Sequence, residues 1–308
     1  MRKATGAACG AFVLVCATAV FGEGGISGAT GGTPVGTTIT STRQVTSGYA
    51  PVNGLKLYYE IRGVGQPLVL LHGGFGSIGM FGDLLPRLAD GRQLIAVDLQ
   101  GHGRTADIDR PLRYESMADD IAALIDYLGL PKADVMGYSL GGGVALLTAI
   151  RHPDKVRRLV LVSTPFRRDG WYPEILAGMS QLGPAAAESM KQTPMYQAYA
   201  ALAPRVQDWP VVVTKMGELL KRDYDLSREV RGITASTMIV VGDADAVRTA
   251  HAVEFYELLG GGKRDAGWDG SGKSAARLAI LPGRTHYDIF ASPELADVVL
   301  PFLESPTP

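Results

Sequence analysis

The stretch Gly137-Tyr138-Ser139-Leu140-Gly141-Gly142 constrains this chain more than any other, because it puts a serine where a strand gives way to a helix. The apolar run Ala133 to Tyr138 reads as a short buried strand. Val144 to Ile150, stopped by Pro153, reads as a helix that opens on small residues. A turn that sharp strains the backbone at Ser139 and leaves almost no room for side chains two residues before and after it. Gly137 and Gly141 stand at those places. The strain exposes the serine hydroxyl, and the NH of Leu140 at the new helix start can receive an oxyanion. The competing account is a glycine-rich turn with an ordinary N-cap serine, so the assignment depends on the rest of the chain.

Elsewhere strand and helix patterns alternate. Leu55 to Ile61, after the Asn53-Gly54 turn, alternates and is β-rich, and continuous apolar runs fall at Pro67 to Leu71, Gln93 to Leu99, Arg158 to Ser163, Thr237 to Gly242 and Arg277 to Leu281. Helical patterns fall at Met80 to Ala89, Ser116 to Leu128, Thr249 to Leu259 and Pro293 to Leu303. The prediction is an α/β fold, a mainly parallel sheet with helices on both faces and active residues at the C-terminal ends of its strands. From 165 to 232 the rhythm breaks into short helical pieces punctuated by Pro173, Pro184, Pro194, Pro204 and Pro210.

The serine elbow has company in His72-Gly73-Gly74 after an apolar strand, Asp98 to Thr105 (DLQGHGRT), Gly242 to Asp245 (GDAD) and a late His286. Over about Tyr49 to Leu303 this ordered set resembles the α/β-hydrolase superfamily, in its branch of small esterases, lactonases and cofactor-free haloperoxidases. Serine, then acid, then histidine is that family's chain order. The resemblance implies a core over 48–164 and 233–304 and a helical cap over 165–232, with a substrate pocket drawn from Tyr138, Trp171, Tyr172, Met195 and Tyr196. It also implies acyl transfer, in which His286 takes the proton of Ser139 and Asp245 orients the imidazole. The oxyanion would be held by the NH of Leu140 and that of Gly74 or Phe75. The expected substrate is a small carboxylic ester, with a lactone, a carbon–carbon bond or perhydrolysis as alternatives on the same triad, and a non-catalytic binding protein as the rival class. No cofactor and no metal are called for. One departure is Thr285, which precedes the histidine where the commoner pattern has glycine.

Two nucleotide patterns compete with this reading. Residues 74–79 spell G-x-G-x-x-G after a strand, and 267–274 (GWDGSGKS) spell a phosphate loop. The first leads into a segment broken by Gly82 and Pro86. The second follows a helix and leads into a strand, the reverse of what phosphate binding at a helix start requires. Both are read as loops, and 261–275 as a surface insertion.

A formal net charge of -1 with interspersed signs offers no basic stripe for nucleic acid. Arg2 and Lys3 precede the apolar run Ala11 to Val20 and then small residues, the layout of an export signal over 1–22 that is too short to span a bilayer. Periplasmic or secreted location without a stable membrane anchor is therefore expected. A Gly/Thr-rich linker over 23–47 follows. Both cysteines, Cys9 and Cys16, fall in the signal.

Overall fold

The computed structural model describes residues 45–305; the segment 1–22 and the linker as far as residue 44 lie outside them. The chain runs through β1 (Thr46–Val52), β2 (Leu55–Arg62), β3 (Gln66–Leu71), α1 (Leu84–Leu88), β4 (Arg92–Val97), α2 (Tyr114–Tyr127), β5 (Ala133–Tyr138), α3 (Leu140–Arg151) and β6 (Val156–Val162). Five helices follow without a strand: α4 (Pro173–Ser180), α5 (Pro184–Met190), α6 (Pro194–Leu202), α7 (Trp209–Lys221) and α8 (Ser227–Val230). The last elements are β7 (Ser236–Ala244), α9 (Thr249–Leu258), β8 (Arg277–Thr285) and α10 (Pro293–Glu304). Pro173, Pro184 and Pro194 each open a helix, where the missing NH would have had no partner anyway, so the prolines that punctuate this stretch start helices as well as ending them.

The strands form one sheet in the order β1-β2-β4-β3-β5-β6-β7-β8. β1 to β2 and β2 to β4 are antiparallel, and every other pair is parallel. From β3 the chain steps out to β4 and then crosses back to β5 on the other side. The carboxyl ends of β3 and β5 therefore flank a switch point, where the loops leave in opposite directions and open a crevice.

Alternation along β3 shows why the strands are continuously apolar. Leu68 and Leu70 pack in one layer, with Leu84 and Leu88 of α1 and Val299 and Phe302 of α10. Val69 and Leu71 pack in the other, with Leu124 of α2, Val144 of α3, Phe255 of α9 and Trp209 of α7. Burial on both faces removes the polar half of the usual period-two pattern.

Three boundaries differ from the sequence reading. β1 begins at Thr46, inside the stretch read as linker, and its Gly48 and Pro51 disguised it; an edge strand tolerates both because one side of its backbone has no partner strand. The helix read over Met80 to Ala89 is instead a 3₁₀ turn, Ile78–Phe81, followed by α1, because Gly82 takes a positive φ of 46° between them. β8 runs on past Leu281 to Thr285, with the ladder to β7 shifting register between Gly242 and Ala244. Residues 74–79 thus lead into a 3₁₀ turn and not a phosphate-binding helix, and 267–274 lie in the loop between α9 and β8.

Candidate active site

Ser139 sits at φ 52° and ψ −113°, between β5 and α3. A non-glycine residue holds such a conformation only when its surroundings impose it. They do so by crowding. A Cβ on Gly137 would stand 2.1 Å from the Gly141 carbonyl oxygen, and one on Gly141 would stand 2.4 Å from that of Leu71. The elbow is pinned by the Ser139 NH, which donates to the Val162 carbonyl at 2.9 Å, and by the first helical bond from the Gly143 NH to the Ser139 carbonyl at 3.1 Å.

The loop after β3 lies across this elbow. Its Gly76 NH donates to the Gly73 carbonyl at 3.1 Å, which leaves Gly74 and Phe75 as the two central residues of a turn. Phe75 has a φ of 57°, the positive value that the second central position of a type II turn requires. Its ring packs on Trp209 of α7, with centroids 5.4 Å apart, so the cap holds the strained residue in place. A Cβ on Gly74 would be 4.0 Å from that of Leu140, which sets the backbone of this turn beside the start of α3. Leu140 is the first residue of that helix, and its NH has no acceptor within the helix.

Asp245, just past β7, and His286, just past β8, complete the cluster. The Ser139 hydroxyl donates to His286 Nε2 at 3.1 Å, and His286 Nδ1–H donates to Asp245 Oδ1 at 2.9 Å. Asp245 is enclosed further by donors: the Val247 NH at 3.0 Å to Oδ1, the Gly242 NH at 3.2 Å to Oδ2, and the hydroxyl of Ser163 to Oδ2. Burial works against the carboxylate, but the hydrogen bonds from His286, Ser163 and Val247 outweigh it and hold Asp245 below the usual carboxylate range. Asp243 points elsewhere, accepting from the Gly283 NH at 2.8 Å.

The histidine loop is shaped by its neighbours. Both the NH and the hydroxyl of Thr285 donate to Asp288 Oδ1 at 2.7 Å, a local tie that a glycine there would only half make. The Tyr138 hydroxyl donates to the His286 carbonyl at 2.5 Å, and the Trp171 ring stands edge-on to the imidazole at 5.3 Å.

The other four histidines are occupied. His72 Nε2 accepts the Leu99 NH at 3.0 Å while Nδ1–H donates to the Gly73 carbonyl at 2.7 Å, and burial lowers its pKa to about 4. His102 is bonded to the Gln100 carbonyl, and burial, then the neighbouring His72, lower it to about 3. His251 stacks on Phe166 at 4.1 Å and is lowered to about 4, chiefly by burial. His152 pairs with Asp119 at 2.7 Å.

A cavity of about 50 Å³ opens beside Ser139. Of the residues read as substrate-binding, Trp171 lines it and four do not. Tyr138 points to the opposite face of the sheet, as alternation along β5 demands, and supports the histidine loop from below. Tyr172 caps the start of α4 and is 39% exposed. Met195 and Tyr196 lie on α6, where Tyr196 packs against Trp209 at 5.3 Å. The sequence reading missed Tyr114, Gly143, Leu147 and Tyr224, which do line the cavity, and Ser163, whose only sequence signal is its place at the end of β6. Among the described residues no group of three or more His, Cys, Asp or Glu is placed to hold a metal ion, and no helix is long and apolar enough to cross a membrane.

Over 114 residues the chain is 49% identical to the pimeloyl-[acyl-carrier protein] methyl ester esterase of Neisseria meningitidis serogroup B, covering 36% of this chain and 42% of that protein. Over 115 residues it is 35% identical to the 2-hydroxymuconate semialdehyde hydrolase of a Pseudomonas species, covering 36% and 41%. The chain thus spans less than half the length of these curated relatives. The enol-lactonase of Burkholderia xenovorans LB400 shares the fold, with a TM-score of 0.62, 23% identity, and coverage of 83% of this chain and 100% of that one. A family model for the alpha/beta hydrolase fold matches residues 66–264, most of the described chain, and the protein belongs to that family.

Proposed function

We propose that this protein is a serine hydrolase of small carboxylic esters that works through an acyl-enzyme. The observation that carries the reading is the unbroken line of hydrogen bonds from the Ser139 hydroxyl through His286 to Asp245. With Nδ1–H donated to Asp245, Nε2 is the basic nitrogen and accepts the serine proton as Oγ attacks the ester carbonyl. The NH of Leu140 and that of Gly74 or Phe75 stabilise the tetrahedral oxyanion, and the imidazolium returns its proton to the departing alcohol. Water, deprotonated by the same histidine, then releases the acid. Asp245 stays ionised throughout, since its hydrogen bonds lower its pKa.

Related proteins named as an ester esterase and as hydrolases support this class of chemistry. A fluorophosphonate probe should label Ser139, and p-nitrophenyl acetate should be hydrolysed without added cofactor, both being lost in Ser139→Ala. An unlabelled, inactive but folded wild type would support a binding protein instead. Export is proposed on the N-terminal pattern alone; mass spectrometry finding residues 1–22 retained on the native protein would refute it.

A further inference from the structure

We infer that the acyl half of the substrate is an acetyl or propionyl group, limited by Tyr114, Leu147 and Tyr224; this rests on the serine hydrolase reading above. The cavity beside Ser139 has a volume of about 50 Å³. An apolar cavity that admits benzene measures about 150 Å³, so a third of that takes only one or two carbons beyond the carbonyl.

The walls leave little slack. The Tyr114 ring lies on α3 so closely that a Cβ on Gly143 would stand 2.5 Å from Tyr114 Cε1. Tyr224 meets Tyr114 edge-on at 6.2 Å, and its hydroxyl reaches the Pro165 carbonyl at 3.5 Å. Burial pushes both phenols up, so both stay neutral. Leu147, 8% exposed, closes the side formed by α3.

The geometry also says which half of the ester enters. The alcohol oxygen must lie within reach of His286 Nε2 to receive its proton. Ser139 itself lines the cavity, so the half of the ester that stays on the serine is the half that fills it.

The test is kcat/KM for p-nitrophenyl acetate, propionate, butyrate, hexanoate and octanoate, alongside fluorophosphonate labelling of Ser139. Acetate or propionate should lead, with octanoate lower by at least roughly tenfold, the scale on which a single misfitting methylene acts. Tyr224→Ala and, independently, Leu147→Ala should move the optimum to butyrate or hexanoate. A flat or rising profile in a labelled, active wild type overturns the size limit and leaves the hydrolase reading standing. An unchanged optimum in both folded variants overturns the assignment of the walls. No labelling and no turnover overturn both readings together.

Discussion

Two aspartates stand two residues apart at the end of β7, Asp243 inside the strand and Asp245 just past it, and their surroundings differ. Asp245 is wrapped by His286, Ser163 and two backbone NH groups, whereas Asp243 takes one NH of the neighbouring strand at an exposed site. Asp245→Asn should keep the melting temperature close to wild type while kcat falls by roughly 10² to 10⁴, because an amide no longer enforces the imidazole tautomer that leaves Nε2 basic. Asp243→Asn should leave kcat within a few-fold. Steady-state kinetics beside thermal melts of both variants check this, and the opposite ranking would move the acid to Asp243. The turn pattern GDAD and the order of motifs single out Asp245, Ser139 and His286, which the fold brings into hydrogen-bond contact, since each follows a strand in the chain. Ser163 was not legible: a serine ending a strand has no local mark, and its φ of 52° arises from what surrounds it in space.

Among the elements, strands buried on both faces announce themselves as apolar runs, and with the alternating β2 seven of the eight strands could be read, β1 being the exception. The cap could be located but not oriented. Its aromatic residues all look alike in sequence, yet Tyr196 and Tyr199 serve Trp209, while Trp171 alone of the expected set reaches the cavity. The wall residues missed come from α2, α3 and the stretch after α7, which only tertiary packing brings together. α7 is fixed by a polar tie, the Lys215 ammonium lying 2.6 Å from Asp107 Oδ2 and 2.7 Å from the Ile108 carbonyl. The Asp107 side chain is 6% exposed. Lys215→Met should therefore destabilise the fold by about 3 kcal/mol, the scale for leaving a buried charge without its partner. Adding Asp107→Asn should restore part of that, as urea unfolding of the single and double variants would show.

At the scale of the whole molecule, three neutral histidines buried in the fold set its response to acid. His72 and His251 are lowered to about 4 and His102 to about 3, so between those values and 6.5 the unfolded chain binds protons that the folded one refuses. Their stability contribution is complete above pH 6.5 and is lost as pH falls toward 4 and then 3, each site adding a slope of up to about 1.4 kcal/mol per pH unit. Urea midpoints should fall between pH 7.5 and pH 5, and His102→Gln should flatten that dependence; a midpoint independent of pH would refute it. The sheet also divides the labour of the molecule. His286 rests, through Tyr138, on the layer of α1 and α10, while the cavity is carved from the layer of α2, α3 and the cap. Variation among the cavity walls on α2 and on α3 beyond its first turn can therefore change the cavity without touching Tyr138, while Trp171 of the cap is the wall residue that also meets His286. A library restricted to Tyr114, Leu147 and Tyr224 should change the preferred ester more often than one restricted to α1 and α10, as ranking the variants on two esters of different chain length would show.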